Sequence, residues 1–311
     1  MKDPRGAVLA ALVWGAALLA VFAPEFAGGM LALCIAGALG VGVFARQRGV
    51  AVLVLLACAA VSWSVVAAGP ARTEAARWDG RAVETVVQVT SSAVRGDDGR
   101  LWADAQTLSL GAPGSPRATT VPVRIGVDEM DGVDLGATLR LSGQAKATDA
   151  GERAALVIFG TRAEVERPAS GVFALAADVR AGFVQRATRL PGPGAGLLPG
   201  LAVGDTTAVT AELDAAMLAS GLSHLTAVSG ANCAIVVAAV FWVVSLCGGP
   251  RWLRVTVALV ALAAFVVLVT PEPSVIRASV MAALAMLRIL LGRPSAGLAM
   301  LSLAVTGILV I

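Results

Sequence analysis

The residues with the least ordinary chemistry gather in one stretch, residues 196–239, which reads GLLPGLAVGDTTAVTAELDAAMLASGLSHLTAVSGANCAIVVAA. It joins a carboxylate at Asp205 and glycines that include Gly221 and Gly230 to a row of polar side chains. Those are Ser223, His224, Thr226, Ser229 and Asn232, set where an apolar run begins. Unpartnered polar groups are costly in hydrocarbon, so such residues must face a helix-bundle interior or a water-filled path. Ser-Gly-Ala-Asn also suits a broken helix, which transport proteins use at mid-membrane sites. His224 and Ser229 do not read as base and nucleophile. They are five apart, a poor fit to one helical face, and no Gly-x-Ser-x-Gly elbow surrounds Ser229.

Two readings stand for His224: a hydrogen-bonded residue at a helix start, or part of a transport path. Two stand for Arg277 as well. It is a cation snorkelling from the end of an apolar run, or a cation at a pore entrance able to grip phosphate with both arms of its guanidinium. Asp97 and Asp98, beside Gly99, are turn residues rather than metal ligands. The chain has a single histidine and four cysteines, Cys34, Cys58, Cys233 and Cys247, with no metal-ligand spacing among them. No metal, cofactor or enzymatic activity is expected.

The elements that must position these residues follow from composition. Of 311 residues 57% are hydrophobic and 14% charged, well below the charge of soluble domains. Residues 70–190 hold fifteen Arg/Lys and fifteen Asp/Glu, two thirds of the charge in the chain. That middle is therefore water-soluble protein between two membrane flanks, and its balanced charge gives no basic stripe of the kind nucleic-acid binders show. Apolar runs at about 7–23, 28–44 and 50–68 precede it, and runs at about 224–246, 252–269, 274–291 and 295–311 follow. With the N-terminus in the cytoplasm, the inside loops carry Lys2, Arg5, Arg46, Arg48, Arg251, Arg254, Arg288 and Arg293. The short outside loops carry Glu25 and Glu272 and no cation. Residues 70–222 then lie outside the cytoplasmic membrane.

The fold class expected is thus a polytopic α-helical membrane protein with an inserted all-β, OB-like extracytoplasmic domain. Strands are expected at 82–89, 100–110, 119–127, 137–143 and 154–166, with a hairpin turn at Gly96-Asp97-Asp98-Gly99. Five short strands in some ninety residues suit a small barrel. Residues 171–190 switch to helical period, with Val172, Leu175, Val179 and Phe183 on one face and Arg180, Arg186 and Arg189 between them. This is either an amphipathic helix at the membrane surface or a helix packed under the barrel. The domains expected are three N-terminal spans at 1–69, the barrel at 70–168, a Gly-rich surface segment at 169–222, and channel helices from 223 to 311.

The stretch from Gly196 resembles the opening of the competence domain in the ComEC-type family of DNA-internalisation channels. Gly221, His224, Leu225, Ala227, Val228, Ser229 and Gly230 match the family's G-x-x-H-L-x-A-[IV]-S-G core, and PSVIRASVMAAL at 273–284 puts Arg277 in its S-x-x-R-A element. The order of parts matches too. Many members carry a second histidine where Asn232 stands here. The family continues with further helices beyond the position of Ile311, and many relatives add a metallo-β-lactamase-like domain whose His/Asp signature this sequence lacks, so no nuclease activity is expected.

The resemblance implies passage of single-stranded DNA across the cytoplasmic membrane in natural transformation. Asp205, Gly221, His224, Ser229, Gly230, Asn232 and Arg277 would then be the channel and motif residues. It implies single-stranded DNA, the lipid bilayer, other DNA-uptake proteins and further copies of the chain as partners. The alternatives are a transporter or channel for another solute, and a membrane-anchored extracytoplasmic binding module.

Overall fold

The computed structural model describes residues 5–44, 49–96, 98–149, 151–206, 208–221 and 230–290. Contacts divide the chain into two compact units. One is Met1–Glu74 with Asp149–Gly151 and Val280–Ile311; the other is Ala75–Thr148 with Glu152–Ser279.

In the first unit, helices α1 (Arg5–Phe22), α2 (Ala27–Phe44) and α3 (Gly49–Ala76) follow one another, with a 3-10 turn at Pro24–Phe26 after α1. Val13 and Ala17 of α1 pack on Cys58 and Val61 of α3, with Cys34 of α2 against them. Large apolar side chains point outward instead: Trp14 is 56% exposed, Leu33 76% and Trp63 61%. A helix apolar on every side belongs in a large protein core or a membrane. Among the described residues, three stretches are long and apolar enough to cross a membrane, Pro24–Val41, Val54–Ala76 and Arg251–Val269, and shorter apolar helices include Ala11–Phe22, Gly230–Leu246 and Pro273–Leu287. These fit a membrane protein. The run expected at 295–311 lies outside the described residues. Helix α3 extends past the expected end near residue 68 and carries Pro70 inside it. A proline there forfeits one ladder bond, and the Thr73 hydroxyl, donating to the Gly69 carbonyl at 2.9 Å, helps hold the turn.

The second unit contains the barrel. Its strands are β1 (Ala82–Val89), β2 (Val94–Arg95), β3 (Leu101–Ala112), β4 (Ser115–Ala118), β5 (Pro122–Val127), β6 (Thr138–Ala147) and β7 (Leu156–Arg167). The five long strands run in the order β1-β6-β7-β5-β3, and β3 returns to β1, so the sheet closes on itself. All neighbours are antiparallel except β5 with β7. This is the five-stranded barrel expected, consistent with an OB-like domain.

Strict alternation puts Val83, Val87, Val89, Ile125, Leu139, Leu141, Leu156 and Ile158 inside, each at most 1% exposed. Burying each contributes roughly 1.5–3 kcal/mol. Two hydroxyls are buried with them and are satisfied. Thr85 donates to the Ser109 carbonyl at 2.6 Å, and Thr107 donates to the Thr119 carbonyl while accepting from the Val121 N–H. Where β6 shifts register against β7, a β-carbon on Gly143 would sit 2.1 Å from the Phe159 carbonyl oxygen, so only glycine lets the backbones close. The short strand β4 was not legible beforehand because Pro116 reads against a strand; it pairs with β3 alone, as an edge.

Helices α4 (Val172–Ala187), α5 (Leu197–Val203), α6 (Ala211–Ala219), α7 (Gly230–Leu246) and α8 (Arg251–Val269) complete this unit, with the first turns of α9 (Pro273–Leu290).

Candidate functional site

Two polar sites stand out in the barrel-bearing unit. The first is a groove of about 400 Å³ on the barrel's β3–β5 face, lined by Thr90, Ser91, Trp102, Asp104, Arg124, Arg153 and Glu272 among others. Its floor is built by cross-strand pairing, with Trp102 opposite Gly126 and Asp104 opposite Arg124. Gly126 is required: a β-carbon there would fall 2.8 Å from the Trp102 ring. The indole therefore lies across β5. The Phe159 ring meets it edge-on, with centroids 5.6 Å apart and planes at 89°. Its Nε1–H donates to the Asp98 carboxylate at 3.0 Å, and the Arg124 guanidinium lies 5.8 Å from its centroid. The Trp102 hydrogen bond, with help from the Arg100 N–H, holds the Asp98 carboxyl below its ordinary range. So Asp98 is a turn residue, and also the clamp on the indole edge.

Arg153, from the connection between β6 and β7, lies 3.8 Å from Asp104. Across the groove, the segment after α8 supplies Pro271, Glu272 and Pro273. Thr270, at φ 71° and ψ 146°, is 1% exposed and sits in backbone space that β-branched residues avoid. The Ser92 hydroxyl donates to its Oγ1 at 3.1 Å, tying this segment to the loop between β1 and β3.

The second site centres on Arg180. Sequence pattern put it on the polar face of an amphipathic helix. Instead, α4 turns Val172, Leu175, Val179 and Phe183 outward and buries Arg180, which is 6% exposed. Its Nε and Nη2 both donate to the Leu268 carbonyl of α8, at 3.0 and 2.8 Å, and its Nη1 lies 3.8 Å from Asp134 of the barrel. Burial lowers its proton affinity and the Asp134 and Asp205 carboxylates oppose this; an arginine stays charged regardless.

Of the expected motif residues, Asp205 lines the Arg180 cavity beside Asp134. Gly221 closes α6 at φ +70°, its N–H donating to the Leu218 carbonyl. Gly230 opens α7, where a β-carbon would meet that of Ala278 at 3.0 Å, so α7 and the start of α9 approach closely. Asn232 donates to the Leu201 carbonyl of α5 at 2.8 Å. Cys233 and Ser279 meet at 3.9 Å on the same α7–α9 seam. Arg277 is exposed on α9. His224 and Ser229 lie outside the described residues. Asp205 and Asn232 are therefore engaged with different partners. Among the described residues, no group of three or more His, Cys, Asp or Glu could hold a metal.

Asn232→Leu is expected to cost about 1 kcal/mol by orphaning the Leu201 carbonyl contact, measured as a small fall in the thermal midpoint of the purified chain. An unchanged midpoint would show that the contact contributes nothing.

Residues 201–311 match the family model described as Competence protein, the ComEC competence domain. No curated protein and no solved structure matches the chain.

Proposed function

We propose that this chain, whose residues 201–311 carry the competence domain, conducts single-stranded DNA across the cytoplasmic membrane. In this reading the barrel stands on the outer side and receives the strand, and the helices from residue 223 onward form the path. The domain match is the observation that carries it. The barrel adds support, because OB-type barrels bind oligonucleotides on the second and third strands and the two loops beside them. Counting only the five long strands, those are β3 and β5 with the β1–β3 and β6–β7 connections. Trp102, Arg124, Ser91 and Arg153 lie on those four elements and line one groove. A ring for stacking bases beside guanidinium groups for phosphates is the equipment single strands require.

The charges of the loops favour an extracytoplasmic barrel. His224, Ser229 and Arg277 are assigned to the path, Arg277 as a phosphate contact at its outer end. Other DNA-uptake proteins and further copies of this chain would complete the machine.

The test is an uptake assay in a naturally transformable host. With His224→Ala and Arg277→Ala combined, labelled DNA should still collect at the cell surface but fail to become nuclease-protected inside. Normal transformation by that double variant would overturn the residue assignments. Unchanged uptake of labelled DNA on deleting the whole gene would overturn the function.

A further inference from the structure

Among the described residues, the groove on the β3–β5 face holds four ionisable side chains. Arg124 and Arg153 are cations, and Asp104 and Glu272 are carboxylates. With all four charged the groove is neutral, a poor receiver for a polyanion. Asp104 is committed to Arg153 at 3.8 Å. Glu272 is different: it comes from the short Pro271–Pro273 segment rather than from the barrel, and it is partly buried against it. That segment is fixed in place. The Glu272 N–H donates to the Thr270 carbonyl at 2.9 Å, and Thr270 is tethered by Ser92. Flanking prolines restrict it further.

We propose that Glu272 is a proton-operated gate on this groove: neutral, it leaves a net positive groove that accepts a phosphodiester strand; ionised, it cancels that charge and weakens binding. The inference rests on the reading of the groove as a single-strand site. Burial, and then repulsion from Asp104, hold the Glu272 carboxyl above the ordinary carboxylate range, while Arg153 opposes the shift. Those groups, with Arg124 on β5, are the charged side chains that share the groove with it. The gate therefore responds above the pH at which exposed carboxylates titrate. It also lies beside the α9 helix that bears Arg277, five residues on.

The experiment uses the full chain in nanodiscs of uncharged lipid. Binding of a rhodamine-labelled single-stranded oligonucleotide is followed by anisotropy from pH 4 to pH 8 at constant low salt. The wild type should bind on the order of tenfold tighter at the acid end, the effect of one charge at groove distances. Glu272→Gln should bind tightly throughout and lose that part of the pH dependence. Asp104→Asn, lacking the neighbouring carboxylate, should keep a transition but shift it to lower pH. An identical pH ratio in wild type and Glu272→Gln overturns the gate.

Inorganic polyphosphate, run in parallel, separates the two readings. A Glu272-dependent ratio with polyphosphate, together with no preference for the oligonucleotide, sustains the gate and sinks the single-strand reading. Tight oligonucleotide binding with a ratio indifferent to Glu272 does the reverse.

Thermal unfolding supplies a readout free of ligand. Because the folded-state pKa of Glu272 is raised, its contribution to stability is complete below the ordinary carboxylate pKa. It is lost as pH rises through the raised value. Glu272→Gln should flatten that decline, and an unaltered pH–stability profile overturns the assignment.

Discussion

Replacing Arg180 by alanine should lower the stability of the barrel-bearing unit by about 2–4 kcal/mol. The last four carbonyls of a helix have no intrahelical partner and carry the negative end of its dipole. One of those at the end of α8, on Leu268, receives both Nε and Nη2 of Arg180. Alanine would strip that carbonyl of both donors and would take the guanidinium out of the cavity that Asp134 and Asp205 also line. The ion-pair share is discounted, because the Asp134 side chain is 41% exposed and solvent screens it. The forked, part-buried bond to that carbonyl carries most of the cost. Arg180→Lys should recover only part of it, since an ammonium cannot present two donors in one plane. Thermal unfolding of the purified chain in detergent measures this. A midpoint within a degree of wild type would mean that Arg180 is an ornament of the fold and not a joint between α4, α8 and the barrel.

The second large effect concerns Trp102. If a base stacks on its indole, Trp102→Ala should weaken single-stranded DNA binding by about tenfold to a hundredfold, the range measured for removing one stacking platform. Trp102→Phe should lose less. Gly126→Ala offers a subtler version, keeping the tryptophan but forcing its ring off β5, because the added carbon would collide at 2.8 Å. The salt dependence distinguishes the roles. Arg124→Gln should flatten the log–log salt slope by roughly 0.7 if it neutralises one phosphate, whereas Trp102→Ala should lower affinity and leave the slope alone. Equal binding by wild type and Trp102→Ala would remove the groove from the DNA path.

Much of the fold was legible because burial writes a period into sequence. The strand at Ala82–Val89 coincides with its expectation, since AVETVVQV alternates between the barrel interior and its surface. Boundaries shifted where the inward side chains are small: β6 runs to Ala147, its inward positions continuing as Gly143, Ala145 and Ala147 opposite β7. The site was less legible. Arg124, Arg153 and Asp104 look like ordinary surface charges in a linear reading, and only strand pairing and a loop between strands bring them to one groove. Trp102 was visible merely as one of a few aromatics. Arg180 read only as a charge between apolar positions, for a physical reason. The helical period shows which residues share a face, but not whether the apolar face or the charged one turns inward. Here Arg180 turns inward while Arg186 and Arg189 stay exposed, and Val172, Leu175, Val179 and Phe183 point outward.

The closure of the barrel also dictates when it can exist. Strand β1 pairs with β3 soon after both are made, but its other edge waits for β6. The parallel β5–β7 pairing and the β6–β7 ladder need residues up to Arg167. Until then the emerging chain presents raw strand edges, which invite pairing with other chains. Late, long-range contacts of this kind fold slowly. In the proposed topology that segment is also carried past a membrane, which lengthens the time its edges stay open. A chain ending before β7 would leave the edges of both β5 and β6 open.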